Sequence, residues 1–597
     1  MKLARKIRMM CKKYCIFFLL FCSPLVSAQS PKYEVRAVWI SVASGDWPKS
    51  TDTNEQQQSL VEMFDILHDN HFNTIYFQVR PRGNVLYHSV IEPWAQQLTG
   101  VLGKDPGWDP LQFVIDEAHK RGMELHAWFN VGKVWGLGDL PINQQHVTRR
   151  HRNWVQQIDG EWWIDIGIPE AREYTERVAL ELVRNYDIDG IQFDFIRYPG
   201  DGFNDWKTFL KFSGGIPKDE WRRDNITAFV RKCYRQIEEE KPWLKVGSAP
   251  VGIYRSINGA ESSFTGYDKV FQDSRLWLKE GIHDYLVPQL YWSMGEQRNP
   301  NDPDFELLCY DWAGENYGRH VYAGIGIYRD NVREEVPEQI ETSRRTRMQG
   351  EAFFSYENLR EVLPQIGSMY RAPSLPPPMM WKDSVPPLPP AGIVITKDEI
   401  HGTSPPVISW IMPNAAEDGE FPCRFVVYRS SEEQVDTRRA ENIISVLPAS
   451  RLSFTDNSAF SGKNYFYTVT SLDRCGNESV QKQLAAIETE SVMTRFSKPP
   501  SEILLSQNYP EPFSDRTFLS FEIPVARHVT LSVKSAGAQQ ETILLNGLTA
   551  PGIHIVSFSG KTFPPGSIEY ELKAGNVLLR RAMTKTEPTP QFPDSIR

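Results

Sequence analysis

Residues Tyr186 to Gly200 read YDIDGIQFDFIRYPG. Ile188, Ile191, Phe193 and Phe195 alternate with polar residues, the two-residue period of a β-strand, and Asp194 falls at the strand's C-terminal end. Asp189 sits at the opposite end, where a structural role is expected. Seven further segments read as strands: Glu34 to Val42, Thr74 to Arg80, Glu124 to Asn130, Lys245 to Pro250, Tyr285 to Trp292, Val321 to Tyr328 and Glu351 to Tyr356. Helical patterns separate them, among them LVEMFDILHDN from Leu60, PLQFVIDEAHKRG from Pro110 and ITAFVRKCYRQIEEE from Ile226. Eight βα units over roughly 340 residues predict an α/β fold, a (β/α)8 TIM barrel with long loops.

The loops after strands 1, 2, 3, 4 and 6 are long and carry Trp47, Trp94, Trp108, Trp135, Trp162, Trp163 and Trp206. Such loops build the C-terminal face, where barrel enzymes keep their chemistry. Half of these rings are expected to serve as loop plugs. With 597 residues the chain holds more than one domain. Its 41% hydrophobic and 24% charged residues exclude wholesale disorder and a polytopic membrane protein.

Residues 1–28 carry six of the 66 Lys and Arg, no acid, the apolar run CIFFLLFC and a VSA ending, which reads as a cleaved export signal. Its removal takes the formal net charge from −9 to −15, which argues against nucleic acid as a partner. The remaining cysteines, Cys233, Cys309, Cys423 and Cys475, show no metal-ligand spacing. The stretch DPGWDP from Asp105 lacks the spacing and terminal Glu of an EF-hand. No phosphate-binding Gly loop, GxSxG or HExxH is present. Neither a metal nor a cofactor is therefore expected.

From Ala372 the sequence runs APSLPPPMMWKDSVPPLPPAG, read as an extended spacer over 373–393. The barrel is thus placed at 31–372, and a chain ending near Ala372 is expected to fold alone. Over 394–490, CRFVVYRS and NYFYTVTSLDRCGNES alternate in the manner of a small all-β sandwich. The stretch resembles a fibronectin type III domain, which implies that Cys423 and Cys475 lie within bonding distance or remain two buried thiols. After a second linker at 491–503, residues 504–586 read as another small β-sandwich. There QNYPEPFSDRTFLSFEIP, Ala550 to Phe558 and the Pro565 to Gly575 hairpin resemble the C-terminal sorting domain of type IX secretion, implying that machinery as a partner.

Asp194, followed by Arg197 and Tyr198, has neighbours suited to keeping it ionised, as a nucleophile or transition-state stabiliser requires. The alternative is an ion pair with Arg197 that pins a loop. Together EVRAVWISV, NTIYFQVRPRGNVLY, ELHAWFN, DGIQFDFIRYP, KVGSAPVGIY and DYLVPQLYW resemble the family-10-like glycosyl hydrolases of bacterial envelopes, over about residues 33 to 370. The resemblance implies a glycosidase acting on a polysaccharide, with cell-wall glycan a favoured substrate. Many relatives have a second aspartate where this chain has Phe195. Glycoside hydrolysis needs two carboxyl groups. Asp194 supplies one; Glu357 and Glu296 are the nearest-ranked candidates for the other, ahead of Asp330 and Asp46. Arg80, Arg82, His126, Asn130, Gln289, Tyr291 and Trp292, with Arg197 and Tyr198, are the candidate sugar-binding set. His126 has an alternative as a satisfied barrel-core histidine. The competing function is a non-catalytic glycan binder on the same scaffold.

Overall fold

The computed structural model describes residues 30–295, 299, 302–396, 405–459, 463–481, 503–508, 511–514, 516–535, 541–549, 552–560 and 562–587. Eight parallel strands close a barrel: β1 (Val35–Ile40), β2 (Thr74–Arg80), β3 (Glu124–Asn130), β4 (Gly190–Asp194), β5 (Lys245–Ser248), β6 (Tyr285–Leu286), β7 (His320–Val321 continuing as Ala323–Ile325) and β8 (Gly350–Phe353). β8 pairs with β1 through Val35↔Gly350 to Val38↔Phe353, which completes the ring. The helices that follow are α1 (Thr53–Asp69), α2 (Pro110–Lys120), α3 (Pro169–Asn185), α4 (Lys218–Glu240), α5 (Ser274–Lys279), α6 (Phe305–Ala313), α7 (Val336–Thr346) and α8 (Tyr356–Met369). The TIM barrel read from the alternation is the fold observed. The sixth strand is shorter than expected because Pro288 has no N–H for the ladder, although Gln289 still donates to Pro250 at 3.0 Å.

Alternation decides which side chains enter the barrel. Ile191 and Phe193 of β4 face the helices, with Phe229 of α4 against Phe193. Gln192 and Asp194 therefore face inward. The interior is aromatic, built on Trp39, Tyr76, Trp128, Tyr285 and Tyr322. Gly247 leaves room for the Tyr285 ring, since a Cβ there would lie 2.3 Å from it.

The Pro-rich segment is not a solvated spacer. Leu375 donates to Lys32 and pairs the sandwich face of Val426 and Tyr428, while Met379 joins the barrel-interior cluster. Trp381 donates to Asp284 at 2.9 Å, and Lys382 pairs with Glu238 and Asp284. This segment closes the N-terminal end of the barrel. The first sandwich packs sheet Ala391–Thr396/Val407–Ile411/Ser453–Thr455 against sheet Ile443–Pro448/Arg424–Ser430/Phe466–Leu472, with Ile408, Trp410, Phe425 and Val427 between them. It forms one compact unit with the barrel. Cys423 and Cys475 are both free thiols, so the pairing is not formed.

The C-terminal unit has a three-stranded sheet (Leu504–Leu505, Arg516–Ile523, Gly552–Ser559) and a four-stranded sheet (Thr542–Thr549, Arg527–Ser535, Gly566–Ala574, Val577–Lys585). Its core holds Leu519, Phe521, Leu531, Val533, Tyr570 and Leu572. The expected signal, 1–28, and most of the second linker lie outside the described residues. No helix among the described residues is long and apolar enough to cross a membrane.

Candidate functional site

Asp194 ends β4 at the C-terminal mouth and is 8% exposed. Its carboxylate accepts from the Phe195 amide at 2.6 Å. Phe195 itself stands at φ 49°, a left-handed conformation that costs a phenylalanine free energy and turns the chain sharply out of the strand. Burial raises the Asp194 pKa from 3.8 to about 6, outweighing the Phe195 amide, Arg197, the Trp128 indole and Lys133, all of which lower it. The neighbouring cations expected to favour the ionised form do lower the Asp194 pKa, but removal from water outweighs them, so the group titrates closer to neutrality than a free carboxyl.

The wall beside Asp194 is a small antiparallel sheet inserted after β3, made of Lys133–Trp135, Glu161–Ile164 and Val155–Ile158. It is fastened to β4, because Gly132 donates to the Phe195 carbonyl at 3.0 Å and Ile164 donates to Gly132 at 2.8 Å. Lys133 pairs with Glu161 at 2.5 Å, and its ammonium lies 5.1 Å from the Phe195 ring. The Arg197 guanidinium, half-buried, sits over Trp163, Phe195 and Phe264 at 5.1, 5.4 and 5.5 Å. Burial pulls its pKa down to about 10, opposed by Asp194 and Glu161. On the other side, Tyr291 stacks on Phe354 and meets Tyr328 edge-on at 5.8 Å. Burial, chiefly, and then the Asp194 charge push its phenol well above its usual range. Phe264 and Tyr328 are exposed.

Several expected site residues lie elsewhere or are committed to the fold. Arg80 is fully buried and binds Glu92 through Nε at 2.8 Å and Nη2 at 2.5 Å, with Nη1 on the Asn130 carbonyl. His126 is buried low in the barrel, 2.7 Å from the Tyr285 hydroxyl and 3.1 Å from Glu124, so the core alternative holds. Tyr198 packs against Phe203 and Phe271 under Arg222, outside the barrel. Glu357 lies in the first turn of α8, exposed, with its Oε2 3.2 Å from where a Cβ on Gly45 would stand. Asp46 instead caps that helix, accepting from Glu357 at 2.6 Å, Ser355 at 3.0 Å and Ser41 at 2.6 Å. Burial raises Asp46 to about 6. Asp330 is exposed and pairs with Arg333. Glu296 lies outside the described residues.

Others are at the mouth. Asn130 stands opposite Asp194 in the β3–β4 register; its amide donates to Pro81 at 2.7 Å while its buried Oδ1 has no protein hydrogen bond. Arg82 is half-exposed, with Nη1 2.4 Å from where a Cβ on Gly136 would stand. Gln289 bridges β5 and β7 by its backbone. Trp292 lies against Gly252 and packs on the core. Trp47, Trp162 and Trp163 are buried plugs, whereas Trp206 is 53% exposed. Sequence reasoning missed Lys133, Glu161, Phe264 and Tyr328; the one available signal was the alternation in GEWWIDIG. Among the described residues no cluster of His, Cys, Asp and Glu is arranged to hold a metal.

Residues 34–339 match the model of the family described as Glycosyl hydrolase-like 10. The sequence is 32% identical over 488 residues to the Glycosyl hydrolase YngK of Bacillus subtilis (strain 168), covering 76% of this chain and 93% of that protein. It is 32% identical over 338 residues to the Glycosyl hydrolase DigH of Escherichia coli (strain K12), covering 51% and 76%. Among solved structures, the endo-beta-1,4-mannanase from Thermotoga petrophila aligns with a TM-score of 0.35 at 10% identity, over 94% of this chain and 99% of that one. The Endo-1,4-beta-mannanase from Rhizomucor miehei gives 0.37 at 12%, over 55% and 89%.

Proposed function

Because the chain belongs to the glycosyl hydrolase-like 10 family, we propose that it is a working glycoside hydrolase, with Asp194 protonating the leaving glycosidic oxygen. One observation carries the reading: a buried carboxyl with a pKa of about 6 ends a barrel strand at the C-terminal mouth, beside a cation and between exposed aromatic rings. A group so poised is largely available as a proton donor at mildly acidic pH. Phe264 and Tyr328 offer flat apolar faces to sugar rings, and Arg82, Arg197 and Tyr291 offer polar groups for hydroxyls.

The substrate proposed is a polysaccharide met outside the cytoplasm, with bacterial cell-wall glycan first in line. Two features support this: the relatives are named glycosyl hydrolases, and the N-terminal 28 residues have the charge and apolar pattern of an export signal. The three-plus-three strand arrangement after the barrel supports a fibronectin type III-like module, and the C-terminal sequence supports export through type IX machinery. The test is incubation of the purified chain with cell-wall glycan strands, with and without stem peptides, alongside plant polysaccharides, reading new reducing ends. Release from one class and its loss in Asp194→Asn support the reading. Binding without new reducing ends favours a non-catalytic glycan binder.

A further inference from the structure

The site as described has one buried carboxyl, and glycoside hydrolysis takes two. Of the described alternatives, Glu357 and Asp330 are exposed on helical first turns, and Asp46 spends its oxygens on three donors of the β1 and β8 loops. Asp165 accepts from Thr208 at 2.6 Å and Gly167 at 3.1 Å. Glu161 differs from all of these. It opens a strand just after the hairpin turn, paired with Ile158, and that strand is tied through Gly132 to the residue following Asp194. It shares both cations with Asp194: Lys133 touches Glu161 and acts on Asp194, and Arg197 feels both carboxylates. Its side chain keeps 31% exposure, so it is open to a ligand from one side.

We propose that Glu161 is the second catalytic carboxylate, ion-paired with Lys133 and working together with Asp194. This rests on the glycosidase reading above. In the step it implies, the Asp194 proton passes to the glycosidic oxygen as the bond from that oxygen to the anomeric carbon breaks. The Glu161 carboxylate takes a proton from a water whose oxygen bonds to the anomeric carbon. The net change is one water consumed and one glycosidic bond cleaved, and solvent returns Asp194 to its acid form and Glu161 to its carboxylate. The two residues would serve as the acid and base pair that glycoside hydrolysis takes.

The experiment uses the full chain on the glycan that the wild type cleaves. Glu161→Gln keeps the size of the side chain and should lower kcat at least about a hundredfold with KM and thermal unfolding nearly unchanged. Glu161→Ala should be equally slow and should regain turnover in sodium azide, giving a glycosyl azide product, because a small anion can occupy the vacated space; a merely structural glutamate gives no such product. Lys133→Met should keep more activity than either. Wild-type-like turnover in Glu161→Gln, or a slow Glu161→Ala with no azide product, overturns the assignment while leaving the glycosidase reading standing. A wild type inert on every glycan overturns both.

Discussion

Arg424, the first residue of a sandwich strand, donates through Nη2 to Asp189 at the foot of β4 at 2.8 Å, and its guanidinium lies 3.6 Å from Glu124. Asp189 also meets His119 at 2.7 Å and the Leu125 amide at 2.9 Å, while Lys245 holds Glu124 at 2.6 Å. The sandwich therefore supplies a charge that the base of the barrel needs, and β4 carries this anchor at one end and Asp194 at the other.

A chain ending at Ala372 loses Met379, Trp381, Lys382 and Arg424, taking Arg424 from Asp189 and Lys382 from Asp284 and leaving the barrel base open. It should aggregate or unfold well below the full chain's melting temperature, as differential scanning calorimetry would show. Arg424→Ala alone should cost about 3–5 kcal/mol, the usual result of stranding a buried charge. A soluble, fully stable truncation would show that the barrel is closed without the sandwich.

Asp194→Asn should lower turnover at least about a hundredfold. In the wild type, kcat/KM should fall as pH rises through about 6, since the acid is then lost, and the variant should lack that limb. Stability should fall in the same direction of pH. With the folded pKa raised from 3.8 to about 6, the favourable contribution is complete below 3.8 and is lost as pH rises to 6. Above pH 6 the variant should be more stable by about 3 kcal/mol, and at pH 4 nearly equal. Urea unfolding at the two pH values measures this.

Glu351 of β8 is fully buried, accepts from the Tyr370 hydroxyl at 3.1 Å, and is pushed up to about 8 by burial first and by Glu34 second. Burial therefore favours its neutral form in the fold. Its raised pKa gives a contribution present below about 4.5 and lost progressively as pH rises to 8. Glu351→Gln should remove that slope, so the variant should gain on the wild type between pH 5 and 8 in parallel unfolding curves.

Phe264→Ala and Tyr328→Ala should raise KM several-fold with smaller change in kcat, because both rings are exposed and neither touches Asp194 directly. Steady-state kinetics on an oligosaccharide long enough to span the mouth checks this. A loss confined to kcat would place these rings in the chemistry.

The barrel, its strand order and the position of Asp194 were legible in the sequence because alternation is local: Ile191 and Phe193 must face the helices, so Gln192 and Asp194 must face the interior. The same local reading could not tell a site arginine from a buried one. Arg80 stands at a strand end, yet Glu92, brought back by the following loop, takes up its guanidinium. His126 is inward-facing as its position requires, but lies two inward positions below Asn130, with Trp128 between. The Pro-rich stretch looked like a spacer because proline content sets backbone stiffness without saying what the apolar Leu375, Met379 and Trp381 will meet. The proton affinity of Asp194 was decided by tertiary structure alone, since it depends on how far the folded barrel removes the carboxyl from water against the opposing pull of Trp128, Arg197 and Lys133. Glu161 belongs to that same class: twenty-eight residues from its partner Lys133, it comes to the mouth only when the insert folds back onto β4.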